Sequence, residues 1–587
     1  MTTVQQRNPA RFIQVRTFAA TVILLAAASF SNQAIAQQRP NTQKPIRPVV
    51  LLPRIGVIGE VPLTLKEVIA HVLAANKDIE GSRIDQHIAS LQLVGAKGHF
   101  DPVIGAQGRL ERQVSPVSSS IGGGAGGKLE QRDFTTLPQI NGLVPWLGGS
   151  YRVSLTSTRL TTDNQFNTLN PQYPTALTFN FNQPLFRNLL FDDNRRSIEV
   201  AKKNRSLSDE QFCRRVIDTI TQAEQAYWEL VFAVRNLQVQ TEAADLARRQ
   251  VESNQRMVDQ GILAPVDVVE AETQLATFAQ NVYRAQESVT RAENALKTLM
   301  LPNRRATLWA SALQPVTPVN LEAPPAALAE AVHQAMTQRP ELAQIKLSKE
   351  INQANTRFFK EQTKPQVDLI ASYTSTGLAG KVIPNQSNPL TGGFDVFIAR
   401  INDLSRVAGL PALPPLTISG GGVPDILVGG YSQSYSNLWN RNFPTAQIGV
   451  SISLPLRNRT AEANLGASLA EERRTGNDRE RLEQLVEADV RNALQGVESA
   501  KARLASATDA RRSAEEQYES EQRQFRAGTS TVFLVLQRQT VMISARSQEL
   551  RAQVDLSQTI AEFQRSTAST LQAHNITLLE QNTPASK

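Results

Sequence analysis

The sequence predicts a mainly α-helical protein that also carries membrane β-strands and is internally duplicated. Long runs without Gly or Pro show a coiled-coil pattern, and short segments of bilayer length alternate apolar with polar residues. Similar motifs also recur in the same order, at a nearly constant offset, in the two halves of the 587-residue chain. With 41% apolar and 20% charged residues, the composition is that of a folded protein.

The N-terminus is predicted to be a secretory signal peptide spanning residues 1–36. Arg7, Arg11 and Arg16 precede an apolar run over residues 17–30, and Ala34-Ile35-Ala36 supplies a small-x-small cleavage site. This run is too short for a membrane-spanning helix, which needs roughly 20 residues. We therefore expect an exported mature protein that begins after Ala36.

Charge and composition exclude several classes of function. The formal net charge is +8, but three of the basic residues lie in the signal peptide and the others alternate with acids, so no nucleic-acid partner is expected. The single cysteine, Cys213, excludes an intramolecular disulfide, and five scattered histidines form no HExxH motif. We predict no metal site, no cofactor and no catalytic residues, hence no enzyme.

Two clusters of acidic residues each allow both a structural and a functional interpretation. Asp192 and Asp193 precede a long helical run, so stabilisation of a helix N-terminus is favoured over metal binding. Asp267, Glu270 and Glu272 form either a solvated helix face or part of a functional helical turn.

Sequence patterns divide the mature chain into two repeats joined by a Pro-rich segment. Residues 37–62 are predicted to be a Pro-rich linker, residues 302–325 the joint and residues 576–587 a C-terminal tail. Each repeat is expected to contain a helix, two strands and a long helical hairpin. The first repeat (63–301) has strands at 103–113 and 175–185 and a hairpin at 195–301, and the second (326–575) has strands at 366–374 and 445–456 and a hairpin at 460–575.

The long helical runs carry an a/d seam of a coiled coil. Val216, Ile220, Ala223, Tyr227 and Leu230 follow one another at alternating spacings of four and three residues. The second repeat has a matching seam that is richer in Ala and includes Val490, Ala493, Val497 and Ala500. Glycines that interrupt these runs, Gly261 and Gly528, mark predicted reversals between two helices.

The predicted strands alternate in a way that suits either a half-buried sheet or a membrane wall. Two clear strands per repeat cannot close a barrel, and an open edge is not tolerated in lipid, so further strands must come from other subunits. A further alternating run, residues 151–159, is either an extracellular hairpin or an extension of the first strand. Residues 113–150 and 374–442 are expected to be long surface loops, since their glycine runs lack the Lys-Ser/Thr of a phosphate-binding loop.

These features resemble the TolC-type outer membrane efflux protein family over roughly residues 63–575. The similarity is carried by the duplication, by prolines at strand ends, and by several short segments. These segments are Phe100-Asp101-Pro102, Asn170-Pro171-x-Tyr173, Gln183-Pro184-Leu185-Phe186-Arg187, Gln260-Gly261-Ile262-Leu263-Ala264-Pro265-Val266-Asp267-Val268 and Phe525-Arg526-Ala527-Gly528-Thr529-Ser530-Thr531-Val532.

The resemblance implies a homotrimer in which each chain gives four strands to a shared twelve-strand β-barrel. The barrel would continue into a long coiled-coil α-helical barrel in the periplasm. It further implies an outer membrane channel for efflux or type I secretion, a passive duct whose tip docks a periplasmic adaptor (membrane fusion) protein joined to an inner-membrane pump. The alternative is a periplasmic coiled-coil adaptor or scaffold protein of an export complex, which would usually have one helical hairpin.

The resemblance also assigns three sets of site residues. The adaptor-docking tip comprises Gly261, Ile262, Leu263, Asp267, Gly528, Thr529 and Ser530. The candidate pore gate comprises Asp267, Glu270, Leu534 and Gln537, where uncharged Leu534 and Gln537 occupy positions that are often acidic in the family. The strand–helix junctions are Pro102, Pro184, Pro365 and Pro455.

Overall fold

The computed structural model describes residues 49–118, 126–164, 167–319, 327–383, 392–414 and 423–577. The predicted signal peptide, the start of the linker, most of the C-terminal tail and the second glycine run lie outside these residues. No helix in the described ranges combines the length and the apolar character needed to cross a membrane.

Four helices dominate the chain and form two hairpins of nearly equal size. The first hairpin joins helices of 67 and 36 residues, and the second joins helices of 68 and 35 residues. At a rise of 1.5 Å per residue the longest helices extend about 100 Å. The helices are α1 Leu65–Ala75, α2 Lys77–Lys97, α3 Asp193–Asp259, α4 Pro265–Met300, α5 Leu328–Gln338, α6 Pro340–Gln362, α7 Gly392–Val407, α8 Tyr431–Trp439, α9 Arg459–Arg526, α10 Val532–Ser566 and α11 Thr570–Ala573.

Helix boundaries follow local capping chemistry. Thr64 and Glu67 form a capping box at the start of α1, in which each side chain accepts a hydrogen bond from the other residue's backbone. The Asp192 carboxylate accepts from the Arg195 backbone N–H at 2.8 Å and caps α3. The expectation that this residue stabilises a helix N-terminus is therefore confirmed.

The strands form one main antiparallel sheet and one small parallel pair. Their bounds are β1 Gly59–Leu63, β2 Val103–Pro116, β3 Lys128–Leu143, β4 Ser150–Thr162, β5 Leu169–Gln172, β6 Thr175–Pro184, β7 Ser311–Pro315, β8 Gln366–Gly377, β9 Gly380–Val382 and β10 Phe443–Ser453. The main sheet has the order β10-β8-β6-β4-β3-β2, with the short β5 and β9 beside this path. β1 pairs in parallel with β7, so the N-terminal segment meets the chain between the two hairpins.

The main sheet contains two long strands, β3 and β4, in addition to the four that the sequence predicted. β2, β6, β8 and β10 lie where strands were predicted, and β3 and β4 are inserted between β2 and β6. The residues assigned to a loop at 113–150 contain the whole of β3, and residues 151–159 lie within β4. The pattern of β3 was obscured by Pro138, which the pairing with β4 skips, and by the charged residues at its start.

The second predicted loop, residues 374–442, also contains regular structure in its described parts. β9, α7 and α8 lie within it. Asn437 of α8 donates from Nδ2 to the carbonyls of Leu378 at 2.9 Å and Ile426 at 2.7 Å, which fixes this segment to the end of β8.

The helical core is organised around the predicted coiled-coil seam. Val216, Ile220, Ala223, Tyr227 and Leu230 are all fully buried, which confirms the seam of the first hairpin. The Tyr227 hydroxyl also donates to the Leu63 carbonyl at 3.2 Å. In the second hairpin Val490, Ala493, Val497 and Ala500 are buried in a separate cluster. The seam therefore holds α3 and α9 against their neighbours by burial of apolar side chains.

The lone cysteine is expected to react slowly in the folded protein. Burial, together with Glu210 and Glu341, raises the pKa of the Cys213 thiol to about 11. Because the thiolate is the nucleophile, iodoacetamide should label native Cys213 slowly at neutral pH and faster as the pH approaches 11. Unfolding in denaturant should restore ordinary reactivity, and equal labelling rates in the folded and unfolded chain at pH 7 would contradict this.

Candidate functional site at the helical turns

The first hairpin reverses at Gly261 through a Schellman motif. Gly261 has φ +74, and its N–H donates to the Val258 carbonyl at 2.9 Å. The Ile262 N–H donates to the Met257 carbonyl at 2.8 Å, so two of the last carbonyls of α3 are satisfied. A residue in this left-handed conformation is most easily glycine, as the sequence pattern predicted.

The second hairpin reverses at Gly528 with the same geometry. Gly528 has φ +76 and donates to the Phe525 carbonyl at 3.0 Å, and Thr529 donates to the Gln524 carbonyl at 3.0 Å. A Cβ built on either glycine has no atom within 4 Å other than those of the glycine and its two chain neighbours. Both turns thus face open space in the isolated chain.

The helices that follow the two turns begin differently. Pro265 is the first residue of α4, and the Asp267 carboxylate accepts from the Ala264 backbone N–H at 3.1 Å. In α10 the cap is Thr531, whose hydroxyl accepts from the Leu534 N–H at 3.4 Å. Asp267 and Leu534 therefore occupy the same position, the third residue of their helices. Part of the role of Asp267 is to cap α4.

Large apolar side chains at both turns are exposed. Ile262, Val266 and Val269 are 67%, 69% and 58% exposed at the first turn. Phe533 and Leu534 are 57% and 37% exposed at the second, whereas the adjacent Val535 is buried. Apolar groups gathered at one place on a surface are typical of a contact with another protein.

The other predicted turn and gate residues have varied surroundings. Ser530 donates its hydroxyl to Glu521, and the Thr529 hydroxyl donates to the Gln524 carbonyl at 3.1 Å. Leu263 and Glu270 are half-buried, and Gln537 is exposed. Sequence reasoning missed Glu521, which also lies 3.9 Å from the Arg538 guanidinium and so connects α9 to both the turn and α10.

The four junction prolines lie at strand ends. Pro102 and Pro365 immediately precede β2 and β8, Pro184 is the last residue of β6, and Pro455 follows β10. Proline suits these places because it has no backbone N–H to give to a ladder. Next to Pro184, the Gln183 side chain donates to the Leu147 carbonyl at 2.7 Å and holds the β3–β4 connection.

The acidic residues near this junction are engaged in local structure. Asp192 lies 3.3 Å from the Arg195 guanidinium, and Asp193 lies 2.6 Å from that of Arg196. Among the described residues, no group of three or more His, Cys, Asp or Glu side chains is arranged to hold a metal ion.

The chain is similar to several solved structures of outer membrane channels. The chain is similar to the outer-membrane channel OprN, with 15% identity, a TM-score of 0.58 and coverage of 86% of this chain and 90% of that one. It is similar to the Campylobacter jejuni CmeC outer membrane channel, with 13% identity, a TM-score of 0.59 and 86% coverage of both chains. It is also similar to CusC, with 13% identity, a TM-score of 0.59 and coverage of 90% and 98%. No curated protein matches the chain in sequence.

The chain therefore shares the fold of these solved outer membrane channels. The family model "Outer membrane efflux protein" matches residues 139–300 and 406–569, which together are more than half of the chain. The chain belongs to the outer membrane efflux protein family. The predicted resemblance is confirmed, and the alternative of a periplasmic scaffold is not supported.

Proposed function

We propose that this chain is the passive exit duct of a tripartite efflux or type I secretion system. Three copies would place their sheets in the outer membrane and their long helices in the periplasm. The observation that carries the proposal is the combination of two matched hairpins with a sheet in which the outer edges of β2 and β10 are unpaired among the described residues. An unpaired edge is not tolerated in lipid, so other copies must pair with both edges.

The two glycine turns are proposed to be the docking tip for a periplasmic adaptor joined to an inner-membrane pump. Both turns present exposed apolar side chains and a glycine with open space around it. The duplication is supported by the near-identical lengths of α3 and α9 and of α4 and α10. In this proposal the pump supplies the energy and the duct performs no catalysis.

Reconstitution of the purified protein tests the proposed channel. In planar bilayers it should produce discrete ion-conducting steps without any nucleotide. The heat-denatured protein is the control for detergent artefacts. Bilayers that remain sealed after insertion of a folded trimer would contradict the channel proposal.

Leu534 is proposed to line the closed pore near the tip. It is 37% exposed in the single chain, while the neighbouring Val535 and Leu536 supply the contacts within the hairpins. A ring of three leucines would make an apolar constriction. We expect Leu534→Asp to raise single-channel conductance for cations and to make the closed pore sensitive to divalent ions.

The variant should fold normally because an acid at this position can cap α10 as Asp267 caps α4. Phe533→Asp is the matched control, since it adds the same charge one residue earlier on another side of α10. Unchanged conductance and selectivity in Leu534→Asp would place this leucine against a neighbouring helix instead.

A further inference from the structure

We propose that the trimer closes its membrane sheet with eighteen strands, six from each chain, rather than twelve. The inference rests on the proposed trimeric channel and concerns how wide its membrane part is. Its basis is that β3 and β4 share the register and the sidedness of the other four strands of the main path.

An apolar row crosses all six strands on one face of the sheet. Each member pairs directly with the next, and at least four of them are exposed in the isolated chain: Ile104 is 77%, Ile140 40%, Phe179 42% and Tyr373 37% exposed. The row runs Ile104, Ile140, Val153, Phe179, Tyr373, Ala446. A continuous band of exposed apolar groups on one face is what a lipid-facing wall requires.

The opposite face carries a polar row in the adjacent register. Successive residues of a strand point to opposite faces, so Gln139 lies on the other side from Ile140. This row runs Gly105, Gln139, Ser154, Thr178, Thr374, Thr445. β3 and β4 thus place their apolar residues on the same face of the sheet as the four predicted strands do, and their polar residues on the opposite face.

Side-chain contacts hold β3 and β4 together within the sheet. The Arg152 guanidinium donates to Asn141 Oδ1 at 2.9 Å, and the Thr135 and Thr158 hydroxyls are 2.9 Å apart. The Tyr151 ring covers Gly142, where a Cβ would collide with the tyrosine hydroxyl. An aromatic ring over a cross-strand glycine is a packing device that fixes strand register.

Strand length and direction allow closure between copies. β3 and β4 have 16 and 13 residues, more than β8 and β10 with 12 and 11, and all four reach the roughly 9–11 that a tilted strand needs to cross a bilayer. Every step from β2 to β10 is antiparallel, so the two edges run in opposite directions. The β10 edge of one copy can therefore pair antiparallel with the β2 edge of the next.

The consequence is a wider membrane channel. Barrel diameter grows roughly linearly with strand number, so eighteen strands give about one and a half times the diameter of twelve. A barrel of this size keeps an open aqueous lumen. The inserted hairpin would then set an upper size limit on cargo that is larger than in a twelve-strand channel.

Paired cysteine substitutions on two strands test this inference. All variants are made in a Cys213→Ser background. Ile140→Cys in the apolar row and Gln139→Cys in the polar row probe β3. The matched controls in β6 are Phe179→Cys in the apolar row and Thr178→Cys in the polar row. Purified trimers in lipid vesicles are labelled with a water-soluble maleimide. If β3 lies in the wall, Ile140→Cys should label about tenfold more slowly than Gln139→Cys, as Phe179→Cys does relative to Thr178→Cys.

Equal, rapid labelling of both β3 positions, with alternation retained in β6, would overturn the eighteen-strand sheet and leave the trimeric channel intact. A monomer in place of the trimer would overturn both, and the mass of the particle distinguishes the two failures. Electron cryomicroscopy of the unmodified trimer along its three-fold axis gives an independent count, for which eighteen strands are expected and twelve would refute the inference.

Discussion

The double variant Gly261→Asp/Gly528→Asp is expected to abolish export, while its trimer still reaches the outer membrane. Each substitution places a charged side chain in open space, where no atom beyond the two neighbouring residues lies within 4 Å of the new Cβ. The backbone cost at φ +74 and +76 is about 1–2 kcal/mol per site, small against the burial along the long hairpins. The loss should therefore come from an adaptor that can no longer dock on the turns.

Export is measured in cells as resistance to a toxic cargo or as secretion of a protein, together with the trimer level in outer membranes. Gly409→Asp is a matched control. Gly409 has φ +69 and open space, and it ends α7 with the same pair of backbone hydrogen bonds as the two turns. Full export by the double variant would contradict docking at the turns, whereas loss of the trimer would show a folding defect.

Loss of the Lys297 ammonium is expected to destabilise the protein by about 3–5 kcal/mol, because it would leave a buried carboxylate incompletely paired. Lys297 and Glu293 are each 1% exposed, with Nζ 2.5 Å from Oε1. The ammonium also donates to the carbonyls of Ser311 at 2.6 Å and Trp309 at 3.1 Å. Arg54 pairs with the other oxygen of Glu293. This network fastens α4 to both the N-terminal segment and β7.

Lys297→Met keeps much of the side-chain volume and removes the charge. The decrease in its unfolding temperature relative to the wild-type protein therefore measures the contribution of the charge network. The matched control is Arg291→Met in the same helix, where Arg291 also lies 2.5 Å from an acid four residues away, Glu287, but the two side chains are 79% and 60% exposed. An exposed pair contributes at most about 1 kcal/mol. Equal destabilisation by the two variants would contradict a special role for the buried network.

The long helices and their turns could be predicted because their signals are local. The runs without Gly or Pro at 195–260 and 266–301 predict the helices of the first hairpin, and the glycine between them predicts the left-handed residue that ends α3. The a/d spacing predicts Tyr227 as a core residue, and its side chain is fully buried. The equivalence of the two turns followed from the repeated order of motifs.

The missed features depend on contacts that are distant in sequence. Glu293 and Lys297 are four residues apart on a helix, a spacing typical of a solvated surface pair, yet both are buried and contact groups distant in sequence, Arg54 and Ser311. The sequence of β3 contains Pro138 and several polar residues, so it shows no clear strand pattern. Its strand conformation depends on pairing with β2 and β4. The six-strand register is likewise a property of the assembled sheet.

The number of chains in the membrane-extracted particle tests the central claim most directly. The protein should stay with carbonate-washed outer membranes, and after purification in mild detergent its mass should correspond to three chains of the mature protein. Chemical cross-linking should then stop at the trimer. Extraction by carbonate, or a monodisperse monomer in mild detergent, would contradict the account of a trimeric outer membrane duct.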